Sequence, residues 1–286
     1  PAYTAYGRAV MSMQTQVILE KQDLTYLSWT KTRASSGTAG TFMKSYFDLG
    51  GQKNYYKLSN YNSFRGITGH ECVNELIVDR LLSFLGVEHL HYQLIHADIL
   101  IDDRPYETYL CASSDFKRQG ETKIALDAYY QAERLERESP LEFCVRSGWP
   151  SYIRQMLAVD YLILNRDRHG ANIEVLRNAR LKSFRLAPLF DHGLSLLCRC
   201  ETEDEVRSFD VMADRKVQCF VGSQSARDNL NLIPKNKFPI FHPLREADRG
   251  VLFADLNPVL PQAWQDKIWE MLWRRWQFYE DFRRQG

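Results

Sequence analysis

The stretch that most constrains the fold is residues 164–176, near the middle of the chain. It follows an apolar run that predicts a helix over residues 152–164, and it ends in a run at 173–176 that predicts a strand. Between them the sequence reads Asn-Arg-Asp-Arg-His-Gly-Ala-Asn, which is polar and contains a glycine. The chain must therefore combine helices with sheet. The loop between them presents polar side chains where binding and catalytic residues are usually found.

A second polar position follows this loop. Asp191 ends the strand predicted at 184–190 and precedes His192 and Gly193, which allow a sharp turn. Within the loop, Asp167 and Asn172 are five residues apart. In kinase-type phosphoryl transfer, an Asp at this spacing orients the attacking hydroxyl, the Asn holds a metal ion, and a later Asp supplies another metal ligand. The pattern predicts Asp167 as the catalytic base, with Asn172 and Asp191 as metal ligands.

The same chemistry requires a strand lysine that holds phosphates and a helix glutamate that orients it. Lys57 lies on an otherwise apolar strand predicted at 55–58. The helix predicted over 70–85, which Gly86 ends, contains both Glu71 and Glu75. We expect Glu75 to pair with Lys57, because it begins the densest apolar part of the helix. Glu71 is the alternative, or a favourable negative charge at the helix N-terminus.

A run of small residues precedes the Lys57 strand. Residues 35–41 read Ser-Ser-Gly-Thr-Ala-Gly-Thr and offer backbone N–H groups without side-chain bulk, as a phosphate-covering loop requires. Ser36, Gly37 and Thr38 are the predicted contacts. The run has neither of the two common glycine-rich phosphate patterns, so its position before Lys57 carries the prediction. The first 69 residues hold eight basic and three acidic residues, an excess that suits phosphate.

The remaining pattern predicts an α+β fold with a β-rich first part and a mostly helical second part. Strands are predicted at 17–19, 24–29, 41–47 and 55–58, and as a hairpin of 92–101 with 106–111. Further helices are predicted at 124–137 and 264–282, and a surface loop at 197–242. We place an N-lobe at residues 1–112 and a C-lobe at 113–286.

Composition excludes several other classes of protein. A chain of 286 residues that is 44% hydrophobic can build a core without disulfides. Its net charge of +1 does not suit a dedicated nucleic-acid binder. The six cysteines include no Cys-x-x-Cys pair and are expected to be free thiols, with no zinc at Cys198 and Cys200. No apolar run approaches the roughly 18–20 residues of a membrane span, which predicts a cytoplasmic protein.

The motifs together resemble those of the HipA-like serine/threonine kinases of bacteria. The resemblance rests on residues 165–172, on Phe190-Asp191-His192-Gly193, on the Asn74-Glu75 helix ending in Leu85-Gly86, and on the Ser/Gly-rich loop. The Asp-Arg-His-x-x-Asn core is also similar to that of phosphoinositide kinases. The similarity covers about residues 33–195. HipA proteins usually have a larger N-terminal region and a lysine inside the phosphate loop, where this chain has Gly40-Thr41-Phe42.

This resemblance implies a two-lobed, protein-kinase-like fold that uses ATP and Mg²⁺. It also implies a hinge near residues 110–112, where the backbone of Cys111 and Ala112 meets adenine. His169 either supports the loop or assists the hydroxyl. The implied partners are ATP, a protein with a serine or threonine hydroxyl and, where one exists, a separate antitoxin-like chain, with neither nucleic acid nor membrane.

Two other functions stay open. A phosphoinositide-type lipid kinase is suggested by the Asp-Arg-His core, although the acidic run at 201–205 counts against it. The second open function is a pseudokinase that binds nucleotide and acts as an interaction module. The joint presence of Lys57, Asp167, Asn172 and Asp191 argues against it, since the loss of one such residue is its commonest sign.

Overall fold

A computed structural model describes residues 16–31 and 42–285 of the chain. The predicted phosphate-covering loop at 35–41, with Ser36, Gly37 and Thr38, lies outside the described residues. The chain forms two compact units. Unit 1 comprises the described residues up to Asp115 with Leu197–Phe209 and Pro243–Trp269, and unit 2 comprises Phe116–Leu196, Asp210–His242 and the residues from Glu270 onward.

Unit 1 is built on a six-stranded sheet. Its strands are β1 (Val17–Asp23), β2 (Thr30–Lys31), β3 (Met43–Leu49), β4 (Gln52–Lys57), β7 (Gln93–Ile101) and β8 (Arg104–Ser114). Their order across the sheet is β1-β7-β8-β4-β3-β2. The β1–β7 pair is parallel and the other neighbours are antiparallel. A separate two-stranded ribbon is formed by β5 (Tyr61–Asn62) and β6 (Gly66–Ile67).

Helix α1 (Glu71–Leu85) belongs to unit 1 and matches the helix predicted at 70–85. Every residue of α1 except Ser83 is buried. The helix ends as the sequence predicts, because Gly86 adopts a left-handed conformation with φ of 73° and donates its N–H back into the last turn. Because water does not reach most of this helix, its polar side chains must find their partners inside the protein.

The predicted hairpin is present as β7 and β8. Asp102 and Asp103 form its turn with φ values of 49° and 61°, which short polar side chains tolerate better than most residues. Leu110 of β8 and Ile99 of β7 have no exposed surface and lie in one hydrophobic cluster with Leu58. The hairpin therefore supplies the centre of the sheet and much of the core of this unit.

Unit 2 combines short strands with helices. A three-stranded sheet in the order β12-β11-β9 and a parallel two-stranded pair of β10 with β13 are present. The strands are β9 (Glu121–Ala125), β10 (Asp167–Arg168), β11 (Glu174–Asn178), β12 (Ser183–Leu186) and β13 (Gln218–Cys219). Its helices are α2 (Leu126–Glu133), α3 (Pro140–Arg146), α4 (Pro150–Ile163) and α6 (Ala226–Asn229), and its 3-10 turns are Gly170–Asn172, Leu230–Leu232 and Lys235–Lys237.

The remaining helices are α5 (Glu203–Ser208), α7 (Asp248–Leu252) and α8 (Gln262–Gln285), whose residues after Trp269 belong to unit 2. Among the described residues, no helix combines the length and the apolar character needed to cross a membrane. The loop predicted at 197–242 is interrupted by α5, β13 and α6.

Two predicted elements are wrong in part. Residues 24–29 form turns and extended chain, because their apolar side chains serve the core without strand pairing: Leu24 and Leu27 are buried in the hydrophobic cluster. The helix predicted at 124–137 starts only at Leu126, because the preceding residues pair with β11, with Ile124 opposite Val175. Tertiary pairing thus overrides the helical spacing of the sequence.

The division of the chain also differs from the predicted boundary at residue 112. Unit 1 continues to Asp115, since β8 runs on to Ser114 and remains paired with β4 there. It also takes in Leu197–Phe209 and Pro243–Trp269, two segments from the half of the chain predicted to form the C-lobe. A sequence pattern does not reveal such returns of the chain, because each depends on long-range packing.

Unit 2 contains one fully buried cation on α8. Arg275 donates hydrogen bonds to the backbone oxygens of Val211, Tyr161 and Ala213 at 2.8, 2.9 and 3.1 Å. Its guanidinium also lies 5.1 Å from the centre of the Tyr161 ring. Burial lowers the pKa of Arg275 to about 10, so the group remains charged at neutral pH. One side chain thereby donates to two loop carbonyls and to one carbonyl in the last turn of α4.

We expect Arg275→Leu to lower the free energy of unfolding by at least about 3 kcal/mol, since unsatisfied buried groups cost about 1–3 kcal/mol each. The matched control is Arg274→Leu on the same helix, because the Arg274 side chain is 54% exposed and forms an ion pair with Glu270. Urea unfolding of both variants measures the difference. Equal stability of the two would contradict this role for Arg275.

Candidate active site

Lys57 and Glu75 form a buried ion pair in unit 1. Lys57 is the last residue of β4 and Glu75 lies on α1, and Lys57 Nζ is 2.9 Å from Glu75 Oε1. The Lys57 side chain is 12% exposed and that of Glu75 is fully buried. The ammonium also lies 5.2 Å from the centre of the Phe42 ring. This arrangement orients one cation at a strand end, as a phosphate-binding lysine requires.

Glu71, the alternative partner, serves a different place on α1. It lies in the first turn and accepts a hydrogen bond from the Asn60 backbone N–H at 3.2 Å. Burial raises the pKa of Glu71 above its ordinary value. The structure therefore gives Glu71 the location at the helix N-terminus that the sequence suggested, and it brings Glu75 to Lys57.

Asp167 and Asn172 lie on one loop of unit 2. Helix α4 ends at Ile163, and Leu164 turns the chain with a left-handed φ of 52°. Asn172 Nδ2 then donates to the Asp167 backbone oxygen at 2.8 Å, which closes the six-residue loop from Asp167 to Asn172. The Asp167 N–H donates to Asn165 Oδ1 at 3.1 Å. The Asn172 side chain and the Asp167 backbone are thus held in position by hydrogen bonds within the loop.

His169 lies beside Asp167 on this loop. Its Nδ1 accepts the Ala171 N–H at 3.2 Å, which places the proton of the neutral ring on Nε2. That Nε2 is 3.6 Å from Asp167 Oδ2, too far for a direct hydrogen bond. The contact with Ala171 supports the loop, while the ring faces the Asp167 carboxylate.

Asp191 is tied to the same loop through its neighbour Phe190. Arg168 Nη1 donates to the backbone oxygens of Phe190 and Asn172 at 3.1 and 3.3 Å. Asp191 itself adopts a left-handed φ of 59°, an unusual conformation for a residue other than glycine. One arginine therefore joins the two segments that carry the three predicted residues of this unit.

A buried network that the sequence analysis missed holds Arg168 in place. Asp160 on α4 accepts hydrogen bonds from Arg168 Nε and Nη2, the shortest at 2.8 Å, and from Asn165 Nδ2 at 2.9 Å. Burial alone would lower the pKa of Arg168, but the charge and hydrogen bonds of Asp160 raise it above its ordinary value. The available signal was Asp160 itself, an acid inside the apolar run of α4.

The predicted adenine-contacting hinge needs correction. Cys111 and Ala112 lie within β8, a central strand, and are paired with β7 on one side and β4 on the other. Their backbone hydrogen-bonding groups are therefore committed to the sheet. Both side chains are also buried, at 1% and 8% exposure. A backbone contact to a base would have to come from a segment outside this paired part of β8.

The Asp160–Arg168 pair gives a test of the site's framework. We expect Arg168→Met to lower the free energy of unfolding by about 3–5 kcal/mol, because it leaves the Asp160 carboxylate buried without its cation. Adding Asp160→Leu should recover part of this loss. Arg207→Met, which removes a 67% exposed arginine of a surface ion pair, is the control.

Urea unfolding measures these differences on the wild type, Arg168→Met, Arg207→Met and the double variant Arg168→Met with Asp160→Leu. If Arg168→Met unfolded at the same urea concentration as Arg207→Met, the network would not support the loop. A double variant no more stable than Arg168→Met would contradict the coupling between the two residues.

Comparison with known proteins finds similarity in structure rather than in sequence. No protein-family model matches the chain, and no curated protein matches its sequence. The proinflammatory kinase CtkA of Helicobacter pylori is similar with a TM-score of 0.54 and 15% identity, covering 92% of this chain and 96% of CtkA. HipA of the Shewanella oneidensis MR-1 toxin–antitoxin system, solved with HipB and operator DNA, gives 0.46 and 14%, covering 88% and 67%. The mixed α+β chain therefore shares the overall fold of CtkA.

Proposed function

We propose that this chain is an ATP- and Mg²⁺-dependent kinase that phosphorylates a serine or threonine hydroxyl of a protein. The observation that carries the proposal is the buried ion pair between Lys57 and Glu75 at 2.9 Å. A buried salt bridge is a weak source of stability, because desolvation of two charges offsets their attraction. The pair also fixes the direction of an ammonium group at the end of β4, which is the arrangement that a phosphate-binding lysine needs.

The proposal gives the two units different chemistry. In unit 1, Lys57 binds phosphate oxygens of the nucleotide and Glu75 fixes the direction of its ammonium group. In unit 2, Asp167 accepts the proton of the substrate hydroxyl as that oxygen bonds to the γ-phosphorus and the bond to ADP breaks. His169 is a positioning residue, whose Nε2 faces the Asp167 carboxylate at 3.6 Å.

The residues of unit 2 also fit a magnesium ion. Asn172 commits its amide nitrogen to the Asp167 backbone oxygen, which leaves the amide oxygen as its ligand atom. Asp191 adds a carboxylate, and Mg²⁺ prefers oxygen ligands of this kind. When bound, the ion neutralises charge on the phosphates. Asn172 and Asp191 would hold it, and Arg168 keeps their backbone segments together.

A protein acceptor is favoured over a lipid. The segment after Asp191 leads into α5, whose exposed side chains include Glu203 and Asp204. Acidic side chains repel the anionic surface on which a phosphoinositide is presented. The sequence resemblance implies a separate antitoxin-like chain as a further partner, and we retain this as part of the proposal.

We expect Asp167→Ala and Asp191→Ala each to reduce phosphoryl transfer by at least about 100-fold, the lower end of what proton transfer and metal binding contribute. The measurement uses radiolabelled ATP with Mg²⁺ and casein, and in parallel phosphatidylinositol vesicles. The control is Asp204→Ala, since that side chain is 95% exposed. Circular dichroism checks that each variant remains folded.

Wild-type turnover by either variant would contradict the role assigned to that residue. Phosphate transfer to the vesicles but not to casein would favour the lipid kinase. Binding of ATP by the wild type with no transfer to either acceptor or to the chain itself would favour the pseudokinase.

The Lys57–Glu75 pair predicts a non-additive effect. We expect Lys57→Met and Glu75→Gln each to lower kcat/KM for ATP by roughly 10- to 150-fold, the equivalent of about 1.5–3 kcal/mol for a hydrogen bond to a charged group. The double variant should lose little more than Lys57→Met, because the two residues act as one unit. Lys53→Met is the control, because Lys53 lies exposed on the same strand.

Steady-state kinetics on the wild type, Lys57→Met, Glu75→Gln and the double variant gives the coupling energy, and Lys53→Met is measured beside them. Losses that simply multiply in the double variant would show that Glu75 does not act through Lys57.

A further inference from the structure

A second group of polar residues lies on unit 1, where α1 leads towards β7. Asp79 of α1 is fully buried, and its Oδ1 is 2.7 Å from His89 Nε2 and 2.9 Å from His91 Nδ1. The ligand atoms of all three side chains lie within 4.8 Å of one another. His89 is 3% exposed and His91 is 72% exposed, so the group opens to solvent on the His91 side.

The Asp79 carboxylate is held in a fixed orientation. Its Oδ2 accepts the Tyr92 N–H at 2.7 Å and the Gln16 Nε2 at 2.9 Å. Gln16 is oriented in turn, because its Oε1 accepts a hydrogen bond from Arg80 at 3.2 Å. With Oδ2 occupied in this way, Oδ1 is the oxygen that faces both imidazoles. Supported carboxylates of this kind are typical of metal sites.

The His89 ring is also held in a fixed orientation by a hydrogen bond. Its Nδ1 lies 2.6 Å from the Val87 backbone oxygen and must donate to it, since a carbonyl oxygen only accepts. In the neutral ring, Nε2 then carries a lone pair that points at Asp79 Oδ1. Two acceptor atoms 2.7 Å apart repel each other unless a proton or a metal ion lies between them.

The group offers a carboxylate oxygen and two imidazole nitrogens around one point. Oxygen-seeking ions such as Mg²⁺ do not select imidazole, whereas Zn²⁺ binds both ligand types.

We propose that Asp79, His89 and His91 bind a divalent transition-metal ion of the zinc class. Zinc sites with three protein ligands keep a fourth position for water, and the exposed side of His91 provides access for it. Ligand atoms about 2.1 Å from a tetrahedral ion are roughly 3.4 Å apart, so each nitrogen must move less than 1 Å from its present distance to Oδ1. The protons now shared with Asp79 are released to solvent on binding.

The site does not depend on the proposed kinase activity. Asp79 lies one helical turn beyond Glu75 on α1, while His89 and His91 lie on the segment that leads into β7. A bound ion would join the helix to that segment and stabilise unit 1. Because its occupancy is measured without nucleotide, its failure and the failure of the kinase proposal are distinguishable.

The experiment titrates the full chain with Zn²⁺ by calorimetry after removal of metal with a chelator. We expect one ion per chain and an increase in melting temperature. His91→Ala should weaken binding by at least about 100-fold, the upper end of the effect of losing even an outer-shell partner. His91 is exposed, so this variant should fold, and His242→Ala, at another exposed histidine, should bind as the wild type does.

Cobalt provides a second readout that stability alone does not change. Co²⁺ bound by two imidazoles and a carboxylate should give visible absorption bands that His91→Ala weakens and His242→Ala retains. Equal Zn²⁺ affinity in the wild type and His91→Ala would overturn the proposal. Absence of binding at 100-fold excess of Zn²⁺ would also overturn it and leave a hydrogen-bonded network that shares protons.

Discussion

The burial of helix α1 is the constraint on which unit 1 depends. A helix that is buried on nearly all sides but carries five charged or amide side chains needs partners for them inside the protein, because an unpaired buried charge is far more costly than a lost surface contact. Glu75 meets Lys57, Asp79 meets two histidines, and Arg80 donates to the carbonyls of Leu252 and Ala254. Each partner lies on a different segment, so the polar residues of one helix determine how β4, the start of β7 and the segment after α7 are placed around it.

In unit 2, buried arginines supply the hydrogen bonds that buried polar groups need. Arg168 and Arg275 are both buried, and each is surrounded by backbone carbonyls, so a single side chain fixes several loop segments at once. The planar guanidinium suits this task better than an ammonium, since its five donors point in fixed directions. For Arg168, the carboxylate of Asp160 supplies the compensating charge. The loop with Asp167 and the turn with Asp191 are therefore positioned by a residue that need not touch a substrate.

The sequence predicted those features that depend on local pattern. Gly86 ends α1, and the Asp102-Asp103 turn closes its hairpin, because both are determined by conformations that few residues adopt. The Lys57–Glu75 pair could also be predicted from the sequence, because one mechanism requires both a strand lysine and a helix glutamate. Features that depend on contacts between distant segments could not be predicted from the sequence. These are the two later segments that belong to unit 1 and the sheet pairing of Cys111 and Ala112.

The five-residue spacing of Asp167 and Asn172 has a structural cause as well as a chemical one. The Asn172 amide reaches back to the Asp167 backbone oxygen across a single tight 3-10 turn, so a longer or shorter loop would break that bond. The turn also requires Gly170, because a Cβ there would lie 2.5 Å from Asp127 Cβ and 2.9 Å from the Phe220 ring. The fold thus imposes the same spacing that the proposed metal binding by Asn172 would use. The spacing alone therefore does not separate a structural role of the motif from the proposed chemical one.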